Sequence, residues 1–478
     1  MPSVIVHIGV ADLLTPVAAF LKLAHGQPNA FLLESIEGGT ARGRYSVIGM
    51  TPDLIWRCRN GVAEINRHAL SAPHAFVAQE AAPLDSLRTL LAESRMDLPA
   101  GVPPMAGGVV GYLGYDMVRL MERLPGRTTD PLGLPDSVLL RPTLFAIFDN
   151  VRDEFFLVAP VRGDERAQLA AERRIEDART ALARPLPAAA PPVALPPQPQ
   201  PVSNFTVEQF CAAVVKAKEY IAAGDAFQIV PSQRFSAPFA LPPFALYRAL
   251  RRINPAPFLF FLNFDSFSVV GSSPEILVRL RDNRVTIRPL AGTRKRGETP
   301  AEDAALEADL LADPKERAEH LMLVDLGRND VGRVSVPGSV AVTSSFAVER
   351  FSHVMHISST VEGILRPGLD AVDALAAGFP AGTLTGAPKI RAMEIIDELE
   401  PVRRGIYAGC IGYFAPDGTM DTCIGLRMAV LKDGIMHVQA GAGVVADSVP
   451  AAEEAETRQK SRALFRAAEE AVRFAAVG

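Results

Sequence analysis

The sequence predicts an α+β fold built on antiparallel sheets. Strand-like runs arrive in consecutive groups rather than in regular βαβ units, helices and strands alternate irregularly beyond residue 203, and no repeat of fixed period runs through the 478 residues. In the first part, SVLLRPTLFAIFD and EFFLVAPV are β-rich runs. Glu165 to Leu182, ERAQLAAERRIEDARTAL, reads as a charged amphipathic helix. From Arg184 to Val202 the chain is RPLPAAAPPVALPPQPQPV, where proline lacks the amide donor that a ladder needs and favours extended geometry. This is a linker or surface strap, and it divides the chain into 1–183, 184–203 and 204–478.

Beyond the linker, Thr206 to Ala223 reads as helix. Ala226 to Phe235, Phe258 to Phe264 and Ser268 to Val270 read as strands. Ile406 to Phe414 and Thr422 to Leu431, followed by GIMHVQAGAGVV, look like a meander.

Composition narrows the function. A 48% hydrophobic and 22% charged chain is that of an ordinary globular protein. The net charge of -5 supplies no overall positive field for nucleic acid or an anionic membrane, so a small-molecule substrate is the default. The four cysteines, Cys58, Cys211, Cys410 and Cys423, form no C-x-x-C pair, which argues against a disulfide framework or a zinc knuckle. The N-terminus lacks the pattern of a secretory signal, and no apolar run is long enough to span a membrane; a cytoplasmic location is expected.

Two carboxylate pairs stand out. In DPKERAEH, Asp313 is placed as N-cap and Pro314 as the first helical residue, so Glu316 and Glu319 fall on one face. Glu453 and Glu456 repeat that spacing in another helix. Facing each other, the two pairs would repel unless a hard cation lay between them, and oxygen ligands suit Mg²⁺. The plainer alternative is that these acids complement helix N-termini, with Glu316 completing a capping box.

Three small-residue turns offer unblocked backbone amides: PLAGTRKRG (Pro289 to Gly297), PAGTLTGAPK ahead of a helix near Pro388, and QAGAGVVAD (Gln439 to Asp447). With Arg427 they suit a small dicarboxylate; each alone equally suits a turn without ligand. His353 and His356 in FSHVMHISSTVEG, and Glu275 in GSSPEIL, are further candidates, with hydrogen-bonded core histidines and an ordinary turn acid as the plainer alternatives.

Read together and in order, FQIVPSQRF, NPAPFLFF, GSSPEIL, PLAGTRKRG, EHLMLVDLGRND, FSHVMHISSTVEG, PAGTLTGAPKIRAMEIIDELEP, DTCIGLR and QAGAGVVADSVP closely resemble the chorismate-utilising enzymes, most of all the anthranilate synthase component I family. FLLESIEGG, RYSVIG and GGVVGYLGYDMVR resemble that family's N-terminal segment. The resemblance implies two stacked antiparallel sheets with helices outside and an active site between the layers. It implies that residues 1–183 carry tryptophan-regulatory elements and pack on the same body, while 204–478 bind chorismate.

Site roles follow from the same resemblance. Glu319 and Glu456 match the magnesium ligands, with Glu316 and Glu453 in support. Tyr407, Arg427 and the amides of Gly441 and Gly443 match the binders of the enolpyruvyl carboxylate; Gly292, Thr293 and Thr383 line the ring side. Glu275 matches the general acid for the departing C4 hydroxyl, and His356 the residue assisting pyruvate loss. His353 is read as structural. Glu34, Ser35, Pro257, Leu259, Gly412 and Tyr413 match the pocket through which tryptophan inhibits, plain interlayer core being the alternative.

Two positions separate the family's branches. Where water-adding relatives place a lysine base this chain has Gln228, and where para-branch aminodeoxychorismate synthases (folate pathway) carry a lysine in P-x-K-G-T it has Ala291. The first favours ammonia over water and the second favours ortho amination, with aminodeoxychorismate synthase component I as the alternative. Because no cysteine has a glutaminase-like setting, a separate glutamine amidotransferase subunit is the expected partner.

Overall fold

The computed structural model describes residues 3–37, 41–126, 128–186, 200–351 and 354–477. Most of the proline-rich stretch (187–199) and His353 therefore lie outside the described residues.

Among the described residues, twenty-one strands form one hydrogen-bonded network, and its strand pairings are antiparallel. The predicted layers are thus halves of one continuous network. The two parts of the chain share it: Ala30–Glu37 pairs with Phe258–Asn263, and Val109–Leu113 with Cys410–Phe414. Val202–Ser203, at the end of the proline-rich stretch, adds a short strand to Ser232–Pro238.

Period-two alternation puts apolar residues on both faces of the strands. Phe31, Val47, Phe145, Ile147, Phe156, Phe260 and Leu262 join a cluster to which, among the described residues, no helix contributes. Their neighbours Leu32, Ile48, Leu144, Ala146, Leu157, Leu259 and Phe261 face outward onto the helices Pro16–Leu23, Glu165–Ala183, Pro243–Ile253 and Pro450–Val477. A third cluster joins Leu54, Trp56, Leu139, Val278 and Leu280 to the helices Pro83–Glu93, Pro314–Gly332, Ala371–Gly378 and Lys389–Leu399. Each fully buried Leu, Val or Phe contributes about 1.5–3 kcal/mol, so these three clusters carry most of the favourable energy.

The predicted run Thr422 to Leu431 breaks into Met420–Ile424 and Met428–Lys432. The first strand pairs with Ile276–Arg281 and the second with Ser268–Ser273, so the chain changes partner at 274–275 and again at 425–427. The breaks are tied together: Ile424 N–H donates to Glu275 O and Ser272 N–H to Arg427 O, each at 3.0 Å. Gly425 permits this, since a Cβ there would sit 2.5 Å from Ile406 O. The run from Ile406 is likewise shortened to Cys410–Phe414, with Ala408 in the left-handed region at φ 64°.

Candidate active site

The two breaks present Glu275 and Arg427 from adjacent points. Glu275 is buried, and its carboxylate accepts from Leu290 N–H at 3.4 Å and Thr383 Oγ1 at 3.3 Å. Burial outweighs those hydrogen bonds and pushes its pKa up to about 8. This carboxyl holds its proton at neutral pH, as a general acid must.

Pro289 to Gly297, predicted as a turn, is instead mostly the strand Leu290–Lys295, paired with Val354–Ile364 and bulged between Ala291 and Arg294. The bulge re-aims Gly292 and Thr293. Gly292 has φ 66°, and its carbonyl lies 2.8 Å from His356 Nδ1, with Thr293 Oγ1 at 3.1 Å. A carbonyl only accepts, so Nδ1 carries the proton and Nε2 keeps its lone pair. Burial lowers the His356 pKa to about 4, which keeps the ring neutral.

The helix Pro314–Gly332 starts as predicted: Asp313 caps it by accepting from Lys315 N–H and Glu316 N–H, with proline at the first position. Glu316 completes no capping box; its Oε1 accepts from Arg294 at 3.3 Å, while Arg294 also binds Asp309 and Asp313. Glu319 accepts from Gln228 Nε2 at 3.2 Å, and burial, with the charges of Glu316 and Glu456 added, raises its pKa. Glu453 is raised as well, by burial and by Glu456. Glu456 pairs with Lys460 at 2.7 Å, one helical turn on.

All four predicted carboxylates thus lie in one neighbourhood, their charge only partly offset by Arg294, which is shared with Asp309 and Asp313, and by Lys460. Among the described residues, however, no three His, Cys, Asp or Glu side chains converge closely enough to make a ready metal cage. The donor chemistry still fits a hard cation: oxygen-only ligands whose mutual repulsion a divalent ion would relieve.

Tyr407 is buried and its hydroxyl accepts from the Gly441 amide. A Cβ on Gly443 would stand 2.7 Å from Gln228 Nε2, so glycine there keeps the loop tight against the site. Arg427, at φ 50°, makes no ion pair among the described residues; burial lowers its pKa while Tyr407 and Glu456 raise it. A half-buried guanidinium without a carboxylate is costly unless a ligand supplies one.

The predicted glycine- and threonine-rich turn is a short helix, Gly382–Thr385, followed by a strand pair of Gly386–Ala387 with Gln228–Ile229. Its amides are partly committed to that pairing. Lys389 binds Asp330 at 2.7 Å in a buried pair. Sequence reasoning also missed Lys460, which reaches Gly441 O at 3.0 Å; its i,i+4 spacing from Glu456 was the available signal.

The predicted effector residues divide between two faces. Glu34 stands opposite Leu259, and Ser35 opposite Phe258. Glu34 and Leu259 face the helix side, where Tyr247 donates to Glu34 at 2.5 Å and Arg251 at 2.6 and 3.1 Å. Ser35 points with Phe258 toward the interior cluster of strand and loop residues, against which Tyr413 also packs.

The chorismate binding enzyme family matches residues 28–466. The chain belongs to that family. Within it, the chain is 58% identical to anthranilate synthase component 1 of Cereibacter sphaeroides over 470 residues, covering 97% of this chain and 94% of that one. It is 50% identical to the Pseudomonas putida protein of the same name, over 96% of this chain and 93% of the other. The crystal structure of anthranilate synthase component I from Streptococcus pneumoniae TIGR4 superposes with a TM-score of 0.78 at 36% identity, covering 96% of this chain and 99% of that one. These place the chain in the anthranilate synthase component 1 group of the chorismate-binding enzymes.

Proposed function

We propose that this site aminates chorismate and expels pyruvate, and that the chain works as the large subunit of anthranilate synthase in tryptophan biosynthesis. The observation that carries the reading is Glu275, a buried carboxyl whose pKa of about 8 keeps it protonated. Ammonia adds at C2 of the ring while Glu275 gives its proton to the C4 hydroxyl, which leaves as water. Neutral His356, its Nε2 free, assists the second step: the C2 proton is lost as the C3–O bond breaks, the departing enolpyruvate takes up a proton on its methylene carbon to become pyruvate, and the ring becomes aromatic.

Arg427, Tyr407 and the amides of Gly441 and Gly443 receive the enolpyruvyl carboxylate. Thr383, Gly292 and Thr293 flank the ring. Glu319 and Glu456 hold Mg²⁺, supported by Glu316 and Glu453; the ion supplies a positive charge for the ring carboxylate. Gln228 has no basic group with which to deprotonate water, whereas ammonia needs no base, and Ala291 offers no amine for a covalent adduct.

Burial pushes the thiols of Cys58 and Cys410 up to about 12 and raises that of Cys423 further, so these cysteines are poor nucleophiles. Ammonia from glutamine comes from a separate amidotransferase subunit. All four cysteines are free, in keeping with a cytoplasmic protein, and no helix among the described residues is long and apolar enough to cross a membrane. Residues 1–183 contribute the tryptophan elements Glu34 and Ser35; residues 204–478 contribute Pro257, Leu259, Gly412, Tyr413 and the chorismate site.

The test is Glu275→Gln: calorimetry should still detect chorismate binding while turnover is lost. Normal turnover in that variant would remove the acid and the mechanism with it.

A further inference from the structure

We propose that Arg404 is a positioning residue whose buried guanidinium fixes the separate backbone segments that present Gln228, Thr383 and Tyr407 to the substrate. The inference rests on the chorismate-site reading above.

The Arg404 side chain is 1% exposed and that of its partner Glu400 3%. Nε and Nη2 donate to Glu400, at 3.0 and 2.6 Å in the shortest contacts. The fork also reaches outside the pair. Nη1 donates to Leu384 O at 2.7 Å and Nη2 to Val230 O at 2.6 Å. Leu384 follows Thr383, and Val230 lies two residues after Gln228. The guanidinium carbon also lies 5.6 Å from the centroid of the Tyr407 ring and 4.9 Å from that of Tyr115.

Glu400 extends the arrangement to a fourth segment. Its Oε1 accepts from both the amide and hydroxyl of Ser232 at 2.8 Å, and Ser232 Oγ accepts from Gln439 Nε2 at 2.8 Å, two residues before Gly441. One ion pair therefore touches, from behind, segments that carry the nucleophile side, the ring side and the carboxylate side of the site.

Apolar packing can replace an isolated buried pair, whereas here the guanidinium also satisfies the carbonyls of Leu384 and Val230 and so ties their segments together. The carbonyl of Leu384 belongs to the four-residue helix Gly382–Thr385, whose last carbonyls have no intrahelical partner. A planar guanidinium serves several acceptors in fixed directions, whereas a lysine ammonium is a single point on a flexible stem.

The test compares Arg404→Lys, the charge-neutral pair Arg404→Met with Glu400→Gln, and Arg404→Ala with added guanidinium. Rates are expressed per folded molecule, and hydrogen exchange follows the amide of Val230, which donates to Thr385 O. Arg404→Lys is expected to lose at least tenfold in kcat while remaining folded, with faster exchange at 228–232 and 383–386. Guanidinium, but not sodium at equal ionic strength, is expected to restore part of kcat in Arg404→Ala. Wild-type kcat and KM per folded molecule in Arg404→Lys or in the neutral pair, with unchanged exchange, would overturn the proposal. If the wild-type chain itself fails to convert chorismate, the functional reading falls; the exchange comparison still decides whether Arg404 fixes these segments.

Discussion

The amide nitrogen of Gln228 donates to Glu319 at 3.2 Å, while the carbonyl oxygen of the same side chain is buried without a hydrogen-bond partner among the described residues. An unsatisfied buried acceptor costs about 1–3 kcal/mol and suits a site whose ligand brings N–H donors. Ammonia is such a ligand. Gln228→Leu should therefore raise the ammonium concentration needed for half-maximal rate by about 10-fold or more and leave the chorismate KM nearly unchanged. Initial-rate titration of each substrate checks this; an unchanged ammonium requirement would exclude Gln228 from nucleophile handling.

Glu275 gives a pH signature. Its proton is held to about pH 8 in the folded state instead of leaving near 4.5, so activity at fixed free ammonia should fall as pH rises through about 8. Stability follows the same sign. The native state binds a proton that the unfolded chain has lost, so stability declines between about pH 4.5 and 8, by up to about 5 kcal/mol. Glu275→Gln should flatten that decline in urea melts taken across the range and lower turnover by about 10²–10⁴.

Burial, with a smaller contribution from neighbouring carboxylates, raises the pKa values of Glu319 and Glu453, and a divalent ion would relieve both effects. Glu319→Gln should weaken magnesium binding by at least about tenfold in calorimetry without chorismate. Unaltered binding would move the ion elsewhere.

Arg427 has no ion-pair partner among the described residues and is partly buried. Arg427→Met should raise the chorismate KM by about 10- to 100-fold, the worth of a charge-assisted hydrogen bond, while leaving the apo melting temperature unchanged or higher. A variant that loses stability and keeps its KM would make Arg427 structural.

Glu34 and Ser35 face opposite ways, and the consequences should divide accordingly. Arg251→Ala would strip buried Glu34 of its cation and cost about 3 kcal/mol in chemical denaturation. Ser35→Phe, on the interior face with Tyr413, should relieve tryptophan inhibition with little loss of turnover. Unchanged inhibition would remove Ser35 from the effector pocket.

Much of this was legible from local pattern. The helix Glu165–Ala183, the Asp313 cap and the runs Ser137–Asp149 and Glu154–Val161 follow from periodicity and capping chemistry, which are properties of neighbours in sequence. The breaks at 274–275 and 425–427 were not legible, because they come from partner exchange between distant strands. The Gly292–Thr293 bulge was hidden for the same reason. Arg294, Arg404 and Lys460 escaped notice since a lone cation in sequence gives no sign of which carboxylates it will meet.

The most direct measurement is to give the purified chain chorismate, Mg²⁺ and an ammonium salt at mildly alkaline pH, and to identify the products by fluorescence and chromatography. Anthranilate and pyruvate released in equal amounts are the predicted result. Aminodeoxychorismate without pyruvate, or no consumption of chorismate, would contradict the account.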